Sequence, residues 1–349
     1  TLYYKKIIKE NDIDINDISS FKTLPLLDKH TIKTNKKDLL SEKYSFKKLS
    51  KRFTGGSTGQ PMEFYADKYA MVKDNAHHYY LNELIEIKPK DITIGIYGIK
   101  LSKDQIVNNI FYIKSHSNVF GHYRFSSLVI NDLNISIFLK QLFTFKPSMI
   151  RGYPSTLNSL ASYILKEEIK LDFVIKGIVL TSELCTLQQR ILIEKAFKST
   201  VYFEYGNKEI NIFCFSNGKD YLYQSSAIYS YVEVLNTDGS DTEIGEVGKI
   251  VTTGFNNYGM PFIRYDTGDL GRIASKNGGV ISFSEIIGRS QDFLVDFNGN
   301  KKYLIANIYG HKIPVFKKIK IWQLRQDLKG IVNVYIVPLD VFTKQDQLD

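Results

Sequence analysis

The chain is 349 residues long, 43% apolar, carries a formal net charge of +9 and holds two cysteines. That length buries one large core or two smaller ones, and no run approaches the ~20 uncharged apolar residues of a membrane-spanning helix. Cys185 and Cys214 have no CxxC spacing and the histidines form no HxxxH pair, which argues against a disulfide scaffold and a closed zinc centre and fits a reducing, cytoplasmic setting.

The opening residues, TLYYKKIIKENDIDIN, alternate charge and hydrophobicity too quickly for a secretory signal, and Thr rather than Met at position 1 gives the expectation that the natural N-terminus lies upstream. Apolar spacing predicts helix near the start and again over 31–40. The lysines of KHTIKTNKK read as a solvated helix face, not as a nucleic-acid surface. Residues 52–66 read as loop then strand, 68–87 as a long helix ending before Pro89, and ITIGIYG (92–98) as a buried strand.

A helix over 131–145, a strand SMIRGYP (148–154), a helix over 155–168 with Ser155 as its cap, a strand GIVLTS (177–182) and a helix over 185–197 follow. Strands alternating with helices of this length imply crossover connections, hence an α/β unit whose sheet is mostly parallel and covered by helices. After residue 220 only strands follow, separated by Asp238-Gly239 and Gly278-Gly279, which predicts an antiparallel sheet or barrel. From GRSQDF (288–293) onward, a strand pair and a last strand IVNVYIVPL predict a smaller α+β domain that is incomplete. The expected division is 1–288 for the large domain and 289–349 for hinge and partial small domain.

Four stretches carry candidate chemistry, and each has a plain structural alternative. TGGSTG (54–59) offers backbone N–H groups and hydroxyls able to wrap phosphate oxygens, or makes an ordinary turn. EYGNKE (204–209) ends a strand in Tyr205-Gly206, where a planar base can approach, and adds Glu209, a hard-oxygen ligand suited to magnesium, or is a strand, a turn and an exposed carboxylate. PFIRYDTGDLGRI (261–273) sets Asp266 and Asp269 beside Gly268, a place to accept ribose hydroxyls or an Asx turn. Arg264 is read there as a partner for either aspartate or for an anionic substrate. Thr181-Ser182-Glu183 lies where a strand gives way to a helix, suited to an adenine ring or to simple capping.

In this order and spacing, TGGSTGQP, GYPSTLNSLA, SEL…RILIEKAF, EYGNKE and GEVGKIVTTGFNNYGMPFIRYDTGDLGRI followed by IIGRSQDFL resemble the adenylate-forming enzymes. Within them the likeness is to the phenylacetate-coenzyme A ligase-like branch that includes proteins of capsular polysaccharide biosynthesis, over residues 20–340. The resemblance implies that Thr54, Gly56, Ser57, Thr58 and Gly59 bind ATP phosphates, that Glu209 binds magnesium, and that Asp269 and Arg289 hold the ribose. Ser182, Glu183, Tyr205 and Gly206 would frame the adenine. Thr58, Glu209 and Arg289 would be catalytic, and Gln291 and Asp292 would form a hinge.

The implied activity is ATP-dependent activation of a small carboxylic acid as its acyl-adenylate, with transfer to a thiol such as coenzyme A or to an amine. Its positioning and charge neutralisation would supply most of the acceleration. The other reading is a nucleotide-binding or scaffold protein that kept the fold and lost turnover. Gln60 stands where many members carry lysine, and no residue before Asp349 matches the lysine of the small domain, which gives the expectation of a chain cut short or a weakened first step. No zinc is expected, because Cys214 alone fits the family's zinc positions.

Overall fold

A computed structural model of the chain describes residues 1–54, 62–115, 120–289, 293–298, 301–303, 318–339 and 343. The N-terminal segment contains α1 (Leu2–Glu10) and α2 (Lys29–Thr34), followed by the hairpin β1 (Ser50–Phe53) and β2 (Glu63–Ala66). Then come α3 (Lys68–Leu84), β3 (Thr93–Tyr97), α4 (Lys103–Val107), β4 (Tyr112–Lys114) and β5 (Tyr123–Ser126). The alternating unit continues with α5 (Ile135–Thr144), β6 (Met149–Gly152), α6 (Pro154–Lys166), β7 (Gly177–Thr181), α7 (Leu187–Phe197) and β8 (Val201–Gly206). Strands alone follow: β9 (Phe213–Phe215), β10 (Tyr223–Ser225), β11 (Ser230–Leu235), β12 (Val247–Gly254), β13 (Tyr265–Asn277) and β14 (Val280–Arg289). Two short hairpins end the described chain, β15 (Phe293–Val295) with β16 (Lys301–Tyr303) and β17 (Ile319–Leu328) with β18 (Ile331–Pro338).

Among the described residues, β3 to β14 form one twelve-stranded sheet in the order β11-β12-β13-β14-β10-β9-β8-β7-β6-β3-β5-β4. Strands β5, β3, β6, β7 and β8 are parallel neighbours, and from β8 outward to β11 every pairing is antiparallel. The antiparallel strands expected after residue 220 therefore extend the parallel half edge to edge.

The period of two along each strand divides the parallel half into two faces. Ile94, Ile96, Ile150, Ile178, Leu180, Val201 and Phe203 pack with Phe138 of α5, Leu157 and Leu160 of α6, and Ile193 and Phe197 of α7. Burial of each such side chain contributes roughly 1.5–3 kcal/mol. On the opposite face Met149 and Val179 pack with Leu81 of α3 and with Ile85. Capping fixes where these helices begin: Asp67 accepts from the Ala70 N–H at the start of α3, and Thr186 with Gln189 forms a capping box on α7.

The N-terminal segment is tied to the antiparallel half. Leu27 bridges Tyr265, and Leu27, Ile32, Met62, Phe64, Phe262 and Tyr265 share one core. The helix expected over 31–40 is shorter, Lys29–Thr34, because Asp28 caps it early and Asn35 ends it. The span between β3 and α5, unassigned from the sequence, supplies the edge strands β4 and β5. Among the described residues no helix is long and apolar enough to cross a membrane.

Candidate functional site

The carboxyl end of β8 meets the first turn of β13 at a junction where Tyr205 reaches Asp269. Strand β8 ends in Glu204, Tyr205 and Gly206. The Tyr205 hydroxyl donates to Asp269 Oδ2 at 2.7 Å. Burial, and then the Asp269 charge, push the Tyr205 phenol well above its ordinary range, so it remains a donor at any physiological pH.

Asp269 is placed by a chain of local bonds. Asp266 Oδ1 accepts from the Gly268 N–H at 2.8 Å, the Thr267 hydroxyl accepts from the Asp269 N–H at 3.1 Å, and the same hydroxyl donates to the Ile250 carbonyl at 2.8 Å. Gly268 has φ +78° with open space where a Cβ would stand, so glycine is needed there for its conformation and not for room. Asp266 thus makes the Asx turn, and Asp269 is the carboxylate presented to the junction. Arg289, the last residue of β14, stands directly opposite Asp269 in the strand register.

Glu209 lies in the turn after β8 and is buried. Its Oε1 accepts from the Tyr265 hydroxyl at 2.8 Å. Burial and the Glu209 charge raise the Tyr265 phenol well above its usual range, which keeps that bond intact. Among the described residues no three acidic, histidine or cysteine side chains cluster as a metal cage. A single engaged carboxylate suits magnesium, which is bound through one or two carboxylates together with substrate phosphates.

Ser182, just after β7, has φ +67°, a strained conformation for a residue with a side chain. The kink leads into Glu183, whose Oε2 accepts from the Ser155 N–H at 3.0 Å. Ser155 is therefore not the cap of α6. Tyr153 occupies the N-cap without a side-chain bond, Pro154 takes the first helical position, and Glu183 caps the helix from a neighbouring loop.

At the start of the glycine-rich stretch, Thr54 is buried and pairs with Met62. Its N–H donates to the Met62 carbonyl and its hydroxyl accepts from the Met62 N–H, both at 3.0 Å. Met62 in turn packs in the core that contains Tyr265, which brings Thr54 and Met62 to the Glu209 side of the junction. Gly56, Ser57, Thr58, Gly59 and Gln60 lie outside the described residues, as do Gln291 and Asp292.

Arg264 does not face the site. It sits at φ +49° and is buried, with Nε and Nη2 on Glu233 at 3.1 and 3.0 Å and Nη1 on the Lys22 and Leu24 carbonyls. The expected pairing with Asp266 or Asp269 is replaced by a structural clamp on the N-terminal segment, because β13 starts only at Tyr265 and Arg264 turns away before it.

Two features of this region carry no motif in the sequence. Arg151, in the middle of apolar β6, pairs through Nη1 with Glu204 and lies 3.1 Å from His78 Nδ1. Burial alone would raise the Glu204 carboxyl, yet Arg151 and His78 hold it down at about 2. An arginine inside a strand otherwise reading as core was the available signal. The second is Asn207, between Gly206 and Glu209, whose Nδ2 is buried without a partner and so offers a donor at the junction.

No family model matches the chain. Protein CapK of Staphylococcus aureus is 26% identical over 315 residues, covering 88% of this chain and 67% of that protein. Among solved structures, 2-hydroxyisobutyryl-CoA ligase in the postadenylation state with 2-HIB-AMP superposes with a TM-score of 0.69 at 16% identity, over 97% of this chain and 74% of the other. O-succinylbenzoate coenzyme A synthetase from Bacillus subtilis, in complex with ATP and magnesium, has a TM-score of 0.52 at 17% identity over 84% of this chain and 61% of its own. The chain has the fold of the adenylate-forming ligases, and in sequence it is similar to protein CapK.

Proposed function

We propose that this protein is an ATP-dependent ligase that activates a carboxylic acid as its acyl-adenylate, releases pyrophosphate, and passes the acyl group to a thiol such as coenzyme A or to an amine. The observation that carries the reading is the pair of tyrosine-held carboxylates at one junction, Asp269 on Tyr205 and Glu209 on Tyr265, within this fold. In this reading Asp269 accepts the ribose hydroxyls, Arg289 opposite it assists, and Ser182, Glu183, Tyr205 and Gly206 border the adenine. Glu209 would hold magnesium, which supplies neutralisation of phosphate charge when bound.

The loop from Thr54 through Gly56, Ser57, Thr58 and Gly59 binds the phosphates, with Thr54 tying its base. The domain division falls at the end of β14, residues 1–288 forming the body and 289–349 the hinge and small domain. The capsule branch remains the proposed setting, through the relation to CapK. What supports adenylate chemistry is positioning: carboxylates oriented by buried phenols need little reorganisation when the nucleotide arrives.

The test is ATP–pyrophosphate exchange across a panel of carboxylic acids, with Glu209→Gln alongside. Exchange that depends on one acid class, with a raised magnesium requirement in Glu209→Gln, is the expected result. Tight ATP binding without exchange for any acid would sink the enzyme reading in favour of a nucleotide-binding scaffold.

A further inference from the structure

On the face of the parallel sheet covered by α3, Gly95 of β3 is flanked in register by Arg124 of β5 and Arg151 of β6. A Cβ at Gly95 would collide with the Tyr97 ring and with the Phe120 carbonyl, so the ring lies back over Gly95, between the two arginines. The Tyr97 hydroxyl, Arg124 Nε and Arg151 Nε are all buried without a hydrogen-bond partner. Burial raises the Tyr97 phenol above its ordinary range; the Arg151 charge opposes this, the Glu204 charge adds to it and the Arg124 charge opposes it, so both guanidiniums and the Glu204 carboxylate lie within electrostatic reach of that hydroxyl.

The charges on this face do not balance. Arg151 is matched by Glu204, whose Oε2 also meets His78 Nδ1 at 3.2 Å. Arg124 is half-buried, its Nε has no hydrogen-bond partner, and no ion pair to its guanidinium is found among the described residues. Buried polar groups left unpaired are uncommon and costly, about 1–3 kcal/mol each. Three such groups in one cluster, all hydrogen-bond donors and two of them cationic, define a place that an anionic oxygen group would complete.

The cluster lies at the carboxyl ends of β3, β6 and β8, the same end of the sheet at which Tyr205 meets Asp269. Glu204 immediately precedes Tyr205, Thr181 Oγ1 lies 3.5 Å from Glu204 Oε1 beside Ser182, and the Gly98 N–H donates to the Tyr153 hydroxyl at the start of α6. We propose that the acid this protein activates carries a second anionic oxygen group, a carboxylate in the simplest case, seated against the Tyr97 hydroxyl and the Arg124 guanidinium. The inference rests on the adenylation reading and names the substrate class of that site.

The test compares acids matched in size, succinate with butyrate, glutarate with valerate and phthalate with benzoate, in pyrophosphate exchange with the full chain. At least one diacid should exceed its monoacid by tenfold or more in kcat/KM. Arg124→Met and Tyr97→Phe should each reduce that ratio at least fivefold through KM for the acid, with KM for ATP unchanged. Tyr97→Phe should also unfold at no lower temperature than the parent, since the hydroxyl it removes makes no bond. Monoacids used as well as diacids, or a ratio unmoved in both variants, would overturn the proposal.

Absence of exchange with every acid would count against adenylation and not by itself against this binding site. Saturation-transfer NMR on the same acid pairs with Mg-ATP present then decides. Diacid binding that is lost in Arg124→Met upholds the site, and diacids that bind no better than monoacids refute it.

Discussion

Tyr205 and Asp269 come from strands that are not neighbours in the sheet, yet the phenol donates to the carboxylate at 2.7 Å. The bond fixes which way Asp269 Oδ2 points and couples the end of β8 to the first turn of β13. Removing the carboxylate with Asp269→Ala should weaken ATP binding by about 1.5–3 kcal/mol for each ribose bond lost, on the order of a tenfold to hundredfold rise in Kd or more. Tyr205→Phe keeps the acceptor and loses only its orientation, so its effect on ATP affinity should be severalfold. Calorimetric titration of ATP into both variants checks the order, and equal affinity for parent and Asp269→Ala would remove the ribose role.

Arg264 and Glu233 form a buried two-point ion pair whose guanidinium also clamps the Lys22 and Leu24 carbonyls. Glu233→Ala leaves that guanidinium uncompensated in the interior, a change that typically costs about 3–5 kcal/mol. The expected outcome is a large fall in the urea midpoint with ATP affinity preserved wherever the protein remains folded. A variant with parent stability and impaired nucleotide binding would instead return Arg264 to the site.

Those two pairs also show what the sequence can and cannot reveal. Gly268 with its flanking aspartates was legible as a turn presenting a carboxylate, and the strand–helix alternation was legible as a parallel sheet, because both follow from local rules of backbone conformation and period. The sequence lets Arg264 pair with Asp266 or Asp269 or meet an anionic substrate, because the segment PFIRYD contains no sign that the strand begins one residue later. The partner of an arginine is set by tertiary contacts, here Glu233 and the carbonyls near residue 22, which no spacing encodes. Arg151 was missed for a related reason: its charge is compensated by Glu204 and His78, which lie far from it in the chain. Glu183 is a candidate from the sequence, but its tie to the N-terminus of α6 depends on how β7 and α6 pack.

Glu204 makes stability depend on acid pH. Although burial opposes ionisation, Arg151 and His78 depress its folded-state pKa to about 2, below the ordinary value of 4.5. The depressed value means that the unfolded chain takes up this proton first. The stabilising contribution is therefore fully present above pH 4.5 and is lost as pH falls toward 2. Urea unfolding followed from pH 7 to pH 3 should show a progressive loss in the parent. In Glu204→Gln the starting stability should be lower, because Arg151 is left unpaired, and the acid slope should be shallower. Identical slopes for the two proteins would show that other carboxylates carry the acid sensitivity.

Glu183 joins the loop after β7 to the first turn of α6 through the Ser155 N–H. Tyr153 supplies no side-chain cap, so this carboxylate is the described side chain that satisfies a free N–H at that helix end, where the helix dipole also favours a negative charge. Glu183→Ala should cost about 0.5–2 kcal/mol of stability, the range for loss of a cap, whereas Glu183→Gln keeps an acceptor and should cost less. If the residue also borders the adenine, both variants should raise KM for ATP, and Glu183→Gln should do so with little change in the unfolding midpoint. Comparing the two variants by thermal unfolding and by exchange at varied ATP separates the roles, because a helix cap alone predicts that KM changes only in step with stability.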